Sequence, residues 1–535
     1  MAFIVSVSNS AMVANHANIQ NTCLSSTSSA FLHIHQQFMP QSVIAKARML
    51  PTRTSVISMA SPSPIPTTPT THLSRSDTAL DRVVCKFGGS SLADSARLKE
   101  VTKLIQLQIE KSRKYPIVIL SAMGPSTNEL LAAGDTALKE GIVDVSNVKK
   151  RAYEACDSLG LNKEELVDPL LSNLDQLLLG IKFIKELSPR TKDHLVSFGE
   201  RLAVRIMAAH LRKNVGLPAQ YFDAWDLGLQ TDNSFGNAEI LEISEKNIQQ
   251  NMEKYVGDDV LAIVTGFIAK DKNGAITTLG RGGSDLTATT FGAAVGATEI
   301  QVWKDVDGIL STDPRLVKNV KQVPIVTYEE ASEMAFFGAK VLHPIAMQPA
   351  MRRNVPVRVK NSYNPEHPGT VIQQERTVDP KIPVTSLSVK KGVTLVDIHS
   401  TRMLGAYGFL AEVFKVFERL QISVDMIASS EVSISLTLDP KAESAAVCDA
   451  LEAQLSEVAN VNFQRQNKAI ISIVTAVPNS SHVLALAMSA MEEANIDVQM
   501  ISQGASKYNI SFITNLSDAD SALRMLHKRF FEESH

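Results

Sequence analysis

From Leu279 to Asp285 the chain reads Leu-Gly-Arg-Gly-Gly-Ser-Asp, a cation and a carboxylate set among residues with little or no side chain, just before the helical segment Leu286–Val295. Glycines let a backbone approach a ligand closely, and the first N–H groups of a helix have no internal partners, so such a turn binds anions. Arg281 has the fork geometry for a carboxylate or phosphate, and Asp285 suits an amine or a metal-bound water. The same residues would also serve as a plain glycine turn capped by Ser284 or Asp285. A second place of this kind follows the apolar run Val83-Val84-Cys85. There Lys86 leads through Phe87 into Gly88-Gly89-Ser90-Ser91 and a segment of helical apolar spacing, Leu92–Glu110. A buried strand that delivers a lysine to a glycine turn at a helix start is a phosphate-cradling arrangement. Neither the P-loop pattern nor a dinucleotide Gly-x-Gly-x-x-Gly follows a strand here, so a nucleotide would be held by another solution.

The elements that must position these turns alternate. Apolar runs at Val83–Phe87, Pro116–Ser121, Val260–Phe267, Ile300–Trp303 and Val355–Val359 read as strands, and Leu92–Glu110, Lys192–Arg212 and Leu286–Val295 as helices. Alternation of this sort predicts an α/β domain with a mainly parallel sheet, whose glycine turns gather at the carboxyl ends of the strands. Pro368 to Ser386 reads as a linker. Beyond it Ile422-Ser423-Val424-Asp425-Met426-Ile427 recurs 74 residues later as Ile496-Asp497-Val498-Gln499-Met500-Ile501. Each copy sits in a β-α-β-β-α outline, with helices at Gly408–Leu420 and Ala442–Leu455, then Val483–Ala494 and Asp518–Lys528, which suits a ferredoxin-like sandwich.

Composition narrows the class. With 535 residues, 44% hydrophobic and 20% charged, the chain suits about three globular domains. A net charge of −3 gives no reason to expect nucleic acid as a partner. No uninterrupted apolar run reaches membrane-spanning length. The four cysteines, Cys23, Cys85, Cys156 and Cys448, are scattered without metal-ligand spacing, which predicts reduced thiols. Residues 1–76 contain Lys46, Arg48, Arg53 and Arg75 but no Asp or Glu, and are rich in Ser, Thr, Pro and Ala. That composition reads as a disordered transit peptide, and its weak helical Arg pattern favours a chloroplast over a mitochondrion.

Five motifs in order give a resemblance. Lys86-Phe87-Gly88-Gly89-Ser90-Ser91, Ser197-Phe198-Gly199-Glu200-Arg201, Gly280–Asp285, Ser311-Thr312-Asp313-Pro314-Arg315 and Phe337-Gly338-Ala339-Lys340-Val341-Leu342-His343-Pro344 together resemble the aspartate kinases of the amino-acid kinase family, from about Val83 to the C-terminus. The resemblance implies an α/β, carbamate-kinase-like αβα sandwich over 81–365, a linker over 366–386, and two ferredoxin-like α+β ACT domains at 387–463 and 464–535. A strand at 384–389 is expected to be shared with the second. It implies transfer of the γ-phosphoryl group of ATP to the β-carboxylate of aspartate, the first step toward lysine, threonine, methionine and isoleucine. A loose phosphoryl-transfer transition state needs positioning and positive charge more than a covalent nucleophile.

On that reading Lys86 and Asp285 are catalytic, and Thr127, Glu200, Arg281, Ser284 and Phe267 bind aspartate. Lys86, Gly88, Gly89, Ser90, Lys304, Asp305, Arg315 and Lys340 bind ATP. Arg281 would hold the α-carboxylate in a two-pronged pair that lysine does not copy. Glu200 would face the amino group, although Ser197-x-x-Glu200 at a helix head would also be a capping box. Bacterial relatives commonly carry Thr-Asp where this chain has Lys304-Asp305, and tyrosine at Leu310, which leaves the adenine contacts open. Magnesium is implied as part of ATP, with no prosthetic group and no metal cluster.

Met403, Gly408, Asp425, Ser430 and Glu431 resemble the lysine-binding part of the first ACT unit in feedback-inhibited aspartate kinases. Lysine is therefore the expected effector, with S-adenosylmethionine a second candidate. The expected protein is a single-function plastid enzyme, a homodimer or dimer of dimers through its ACT units. The alternatives are a kinase of another small acid, such as acetylglutamate or glutamate, and a non-catalytic amino-acid sensor on the same fold.

Overall fold

The computed structural model of the chain describes residues 81–337, 342–378, 383–400, 407–430, 433–438, 445–456, 459–476, 480–504 and 506–533. Residues 1–76, expected to be a transit peptide, and Lys340, Met403 and Glu431 lie outside the described residues.

Val-Val-Cys-Lys-Phe (Val83–Phe87), Ile-Val-Ile-Leu (Ile117–Leu120) and Leu-Ala-Ile-Val-Thr (Leu261–Thr265) are buried at every position, as strands covered on both faces must be. They form the middle of an eight-stranded sheet. Its order is Ile325–Thr327, Thr370–Gln373, Val357–Asn361, Glu299–Lys304, Val83–Phe87, Ile117–Leu120, Leu261–Thr265, Ala219–Phe222. Only Val357–Asn361 and Thr370–Gln373 pair antiparallel; every other pair is parallel. Alternate side chains enter two cores. Val83, Cys85 and Phe87 pack with helices Ser95–Lys111, Ser126–Lys139 and Pro189–His210. Val84, Ile117 and Ile119 pack with Ile243–Tyr255, Gly283–Val295 and Pro344–Arg353. The result is an αβα sandwich.

Several boundaries differ from the sequence reading for local reasons. Gly89–Leu92 is a separate 3-10 turn, and the helix begins at Ser95, where Asp94 accepts the N–H of Arg97 at 2.9 Å. The helix carrying Glu200 starts at Pro189, capped by Ser188, so Ser197 and Glu200 lie in its interior and form no capping box. Ser197 instead donates its hydroxyl to the carbonyl of His194. The strand read as Val260–Phe267 stops at Thr265, and Phe267 takes a left-handed φ of 69° before a hairpin, Ile268–Asp271 with Ile276–Thr278. The segment 366–386 is not a bare linker, because Thr370–Gln373 is a strand of the main sheet.

The repeats build a second sheet of six antiparallel strands, ordered Val424–Ser429, Ser433–Leu438, Val384–His399, Asn460–Thr475, Asn509–Asn515, Met500–Gln503. Val384–His399 is long enough to serve both repeats. Its first half pairs with Ala469–Thr475 beside the second repeat, and its second half with Ser433–Leu438 of the first. Helices cover one face in two cores. On the other face Val393, Leu395, Met426, Ile470, Met500 and Ile513 close around Phe337, the residue that ends helix Tyr328–Phe336 of the kinase-like domain.

Candidate active site

Parallel pairing sets Lys86 beside Ile119 on one neighbouring strand and Val302 on the other, so the carboxyl ends of the central strands open on one rim. Lys86 is almost fully buried, and its Nζ lies 2.7 Å from Asp285 Oδ1, at the start of helix Gly283–Val295. Lys304, ending the next strand, brings its Nζ to 3.6 Å from Asp285 Oδ2. Burial raises the Asp285 carboxyl, but the two ammonium groups outweigh it and hold its pKa below the usual carboxylate value. Burial, with Lys86 adding to it, pushes the Lys304 pKa down against the pull of Asp285. The cluster holds two cations and one anion in a poorly solvated place. Gly88–Ser91 borders it: Gly124 N–H donates to Gly89 O at 3.0 Å, and Ser91 Oγ pairs with Ser362 Oγ at 2.8 Å. Ser90 is exposed at the tip of this turn.

A second carboxyl stands across the loop that follows Ile117–Leu120. Glu200 is 2% exposed and accepts the N–H of Ala122 on Oε1 at 3.1 Å. Its Oε2 has no hydrogen-bond partner among the described residues. Burial pushes its pKa up to about 8. From the same loop Ser121 donates its hydroxyl to Ser284 Oγ at 2.9 Å. Thr127 follows in the first turn of helix Ser126–Lys139.

Arg281 is exposed and forms no ion pair among the described residues. Its direction is set by its neighbours, since Gly280 and Gly282 both have left-handed φ, 67° and 76°. A Cβ at Gly280 would run into the Asn237 amide, and one at Gly282 would come within 2.9 Å of the His343 Cβ. Gly282, not Ser284 or Asp285, is the N-cap, so the plain capped-turn alternative fails and Asp285 is left to the lysines. The Phe267 ring lies against Gly283, and its N–H donates to Thr287 Oγ1 at 3.1 Å. A phenylalanine at positive φ is strained, and that strain sits beside the arginine turn.

Sequence reasoning missed the clamp beneath this turn. Asp193, seven positions before Glu200 on the same helix, is buried. Its carboxylate accepts the N–H groups of Gly236 and Thr278, both at 2.9 Å, and the Thr278 hydroxyl at 2.8 Å. Two acids seven apart on the apolar face of one helix were the available signal.

Asp305 is exposed just past Lys304. Arg315 is exposed and forked onto Asp313, with Nη2 to Oδ2 at 2.5 Å. In the first repeat Gly408 caps helix Phe409–Arg419, and Ser430 Oγ lies 2.8 Å from Ser433 Oγ. Asp425 is engaged: Lys390 Nζ lies 2.6 Å from its Oδ2.

Residues 81–361 match the amino acid kinase family, and residues 396–455 and 471–530 each match the ACT domain. Fold, site and matches thus define the class, an amino acid kinase followed by paired ACT domains. Aspartokinase 1, chloroplastic, of Arabidopsis thaliana is 48% identical over 84% of this chain and 80% of its own. The solved E. coli aspartokinase III in complex with aspartate and ADP aligns with a TM-score of 0.67 at 31% identity, over 84% of this chain and all of that one. Its complex with lysine and aspartate aligns at 0.66 and 31%, covering 84% and 99%. The chain belongs to the aspartokinase family.

Proposed function

We propose that this protein transfers the γ-phosphoryl group of ATP to the side-chain carboxylate of L-aspartate, giving ADP and 4-phospho-L-aspartate, and that lysine inhibits it through the paired repeats. The observation that carries the reading is the buried Lys86–Asp285–Lys304 cluster at the strand ends. Both reactants are anions, and a fixed excess of positive charge at their meeting point lowers the cost of bringing them together. In the transfer an aspartate carboxylate oxygen bonds to the γ-phosphorus while the bond to the β-phosphate oxygen breaks. The attacking oxygen is already unprotonated, so the step asks for no general base. Lys86, fixed by Asp285, stays with the phosphoryl group as its charge spreads.

Glu200 and Arg281 divide the recognition of aspartate. Glu200 offers a buried carboxylate to the ammonium, and Arg281 a planar fork to the α-carboxylate. Phe267 and Ser284 shape the pocket between them. Gly88, Gly89 and Ser90 approach the phosphates by backbone, while Lys304, Asp305, Arg315 and Lys340 complete the nucleotide side. Magnesium arrives as the nucleotide's own counter-ion. Among the described residues no group of three or more His, Cys, Asp and Glu is placed to hold a resident metal.

Gly408, Asp425, Ser430, Met403 and Glu431 form the lysine site on this reading, and S-adenosylmethionine is a second effector to test. Tyr407, Leu410 and Ile427 are exposed apolar residues of the first repeat, which supports a homodimer or dimer of dimers through this module. The chloroplastic relative and the acid-free N-terminal 76 residues support import into the plastid stroma.

The test is MgATP with aspartate and hydroxylamine, titrated with lysine. Aspartyl hydroxamate that lysine suppresses supports the whole reading. Hydroxamate indifferent to lysine removes the effector site. Lysine binding without hydroxamate makes the protein a sensor.

A further inference from the structure

We propose that His527, in the last helix of the second repeat, is a positioning residue for nucleotide binding that acts through Ser311. The proposal rests on the kinase reading above and on Arg315 as a nucleotide contact. His527 is fully buried, and its ring stacks on Phe531 with centroids 4.9 Å apart. Its Nε2 lies 3.0 Å from Ser311 Oγ, and its Nδ1 lies 3.0 Å from Glu532 Oε1. The partners fix the proton positions. Ser311 Oγ accepts the N–H of Lys321 at 2.8 Å, so its own hydrogen is available to Nε2, while Nδ1–H donates to the Glu532 carboxylate.

Ser311 opens the loop Ser311-Thr312-Asp313-Pro314-Arg315, and its backbone is committed as well. Its N–H donates to Lys321 O, and its carbonyl accepts the N–H of Leu387, both at 2.7 Å. Leu387 belongs to the strand shared by the repeats, and its side chain lies in the core of the second one. On the far side of Arg315, Leu316 packs against that same core. The loop that carries Asp313 and Arg315 is therefore flanked on both sides by contacts with the second repeat, in addition to the bonds between Ser311 and Lys321 of the kinase-like domain. A cleft of about 350 Å³ is lined by this loop, with Leu310, Thr312 and Arg315, and by Ser386–Val389. The His527–Ser311 bond sets where that wall stands.

Replacing His527 by an apolar side chain removes the bond to Ser311 together with the one to Glu532, and should move the loop without touching the aspartate pocket. In the full chain, His527→Leu should raise the KM for MgATP by roughly three- to tenfold, with kcat and the KM for aspartate within about twofold. His527→Gln, whose amide reaches the position of Nε2, should restore most of the loss. Ser311→Ala, which also takes the acceptor from the Lys321 N–H, should raise the KM for MgATP at least as much, and the double variant His527→Leu/Ser311→Ala should be no worse than Ser311→Ala alone, because the His527–Ser311 bond is already gone there. A KM for MgATP unchanged in a folded His527→Leu overturns the proposal. So does a parallel loss in both KM values and kcat with lowered thermal stability, which would mean a packing role alone. A wild-type protein that forms no hydroxamate overturns the kinase reading instead. In that case MgADP affinity by calorimetry across the same variants tests His527 independently, and equal affinity in wild type and His527→Leu overturns it.

Discussion

Ala122 donates its backbone N–H to Glu200 across the mouth of the sheet, at 3.1 Å, and leaves the other carboxyl oxygen without a partner among the described residues. A buried acceptor left open at the strand ends is one that a ligand's ammonium can complete. Free of substrate, Glu200 takes up a proton more readily than an exposed acid, with its pKa pushed from 4.5 to about 8 by burial. Aspartate binding by the free enzyme needs the ionised form, so kcat/KM for aspartate should climb with pH and level off above about 8. A flat profile through that range would remove Glu200 from ammonium recognition.

Stability should run the other way. Below 4.5 both folded and unfolded chains hold the Glu200 proton, and between there and about 8 only the folded chain does. Stability is therefore lost with rising pH across that window, and the loss is complete above it. Glu200→Gln removes the penalty. It should stabilise the fold by about 1–3 kcal/mol at alkaline pH and by little at pH near 4. It should also cut hydroxamate formation on the order of 100-fold. Thermal unfolding at the two pH values, read beside the rate, checks both halves.

The Lys86–Asp285–Lys304 cluster has the opposite sign. The Asp285 pKa is depressed, so the pair's contribution is present above the ordinary carboxylate range and fades only as pH falls through the lowered folded value. Asp285→Asn leaves two buried ammonium groups facing each other. A loss of roughly 3 kcal/mol at neutral pH is expected, shrinking in strong acid, together with a fall in kcat of at least about 100-fold. Urea unfolding that shows no difference at neutral pH would mean the ion pair is not formed in solution.

Gly280 and Gly282 offer a test that leaves every ligand-contacting side chain in place. Gly280→Ala introduces a Cβ at a φ of 67° where the Asn237 amide already stands. The turn must shift and carry Arg281 with it. The KM for aspartate should rise by about tenfold or more, with the KM for MgATP nearly unchanged. Arg281→Lys should give the same selective loss by removing the fork while keeping the charge. Equal effects on both substrates would place Arg281 elsewhere in the cycle.

What the sequence disclosed and what it hid follow from the range of each interaction. Val83–Phe87 and the glycine turns were legible because their cause is local: an unbroken apolar run needs cover on both faces, and Gly-Arg-Gly-Gly fixes a backbone. The repeats were legible because Ile422–Ile427 and Ile496–Ile501 are alike. Helix Pro189–His210 starts three residues before the expected Lys192, because Ser188-Pro189 as a cap carries no apolar period. Strand Thr370–Gln373, one place in from the sheet edge, hides in the expected linker because four residues have too little pattern. The pairing of Lys304 with Asp285, the Asp193 clamp and the His527–Ser311 bond join residues far apart in the chain. No spacing rule brings them together before the sheet does.

The first repeat gives the last test. Asp425 is the carboxylate proposed for an effector ammonium, yet the Lys390 ammonium already lies 2.6 Å from it, and both side chains are largely buried. An incoming lysine must displace or share that partner, so the internal ion pair weakens the site by competition. Lys390→Met keeps the stem and removes the charge. It should lower the lysine concentration for half-inhibition by about three- to tenfold and leave uninhibited turnover unchanged. Asp425→Asn should abolish inhibition and also strand Lys390, which makes the pair of variants more informative than either alone. If Lys390→Met loses inhibition as Asp425→Asn does, the Lys390–Asp425 bond is part of the inhibited state and not a competitor of lysine.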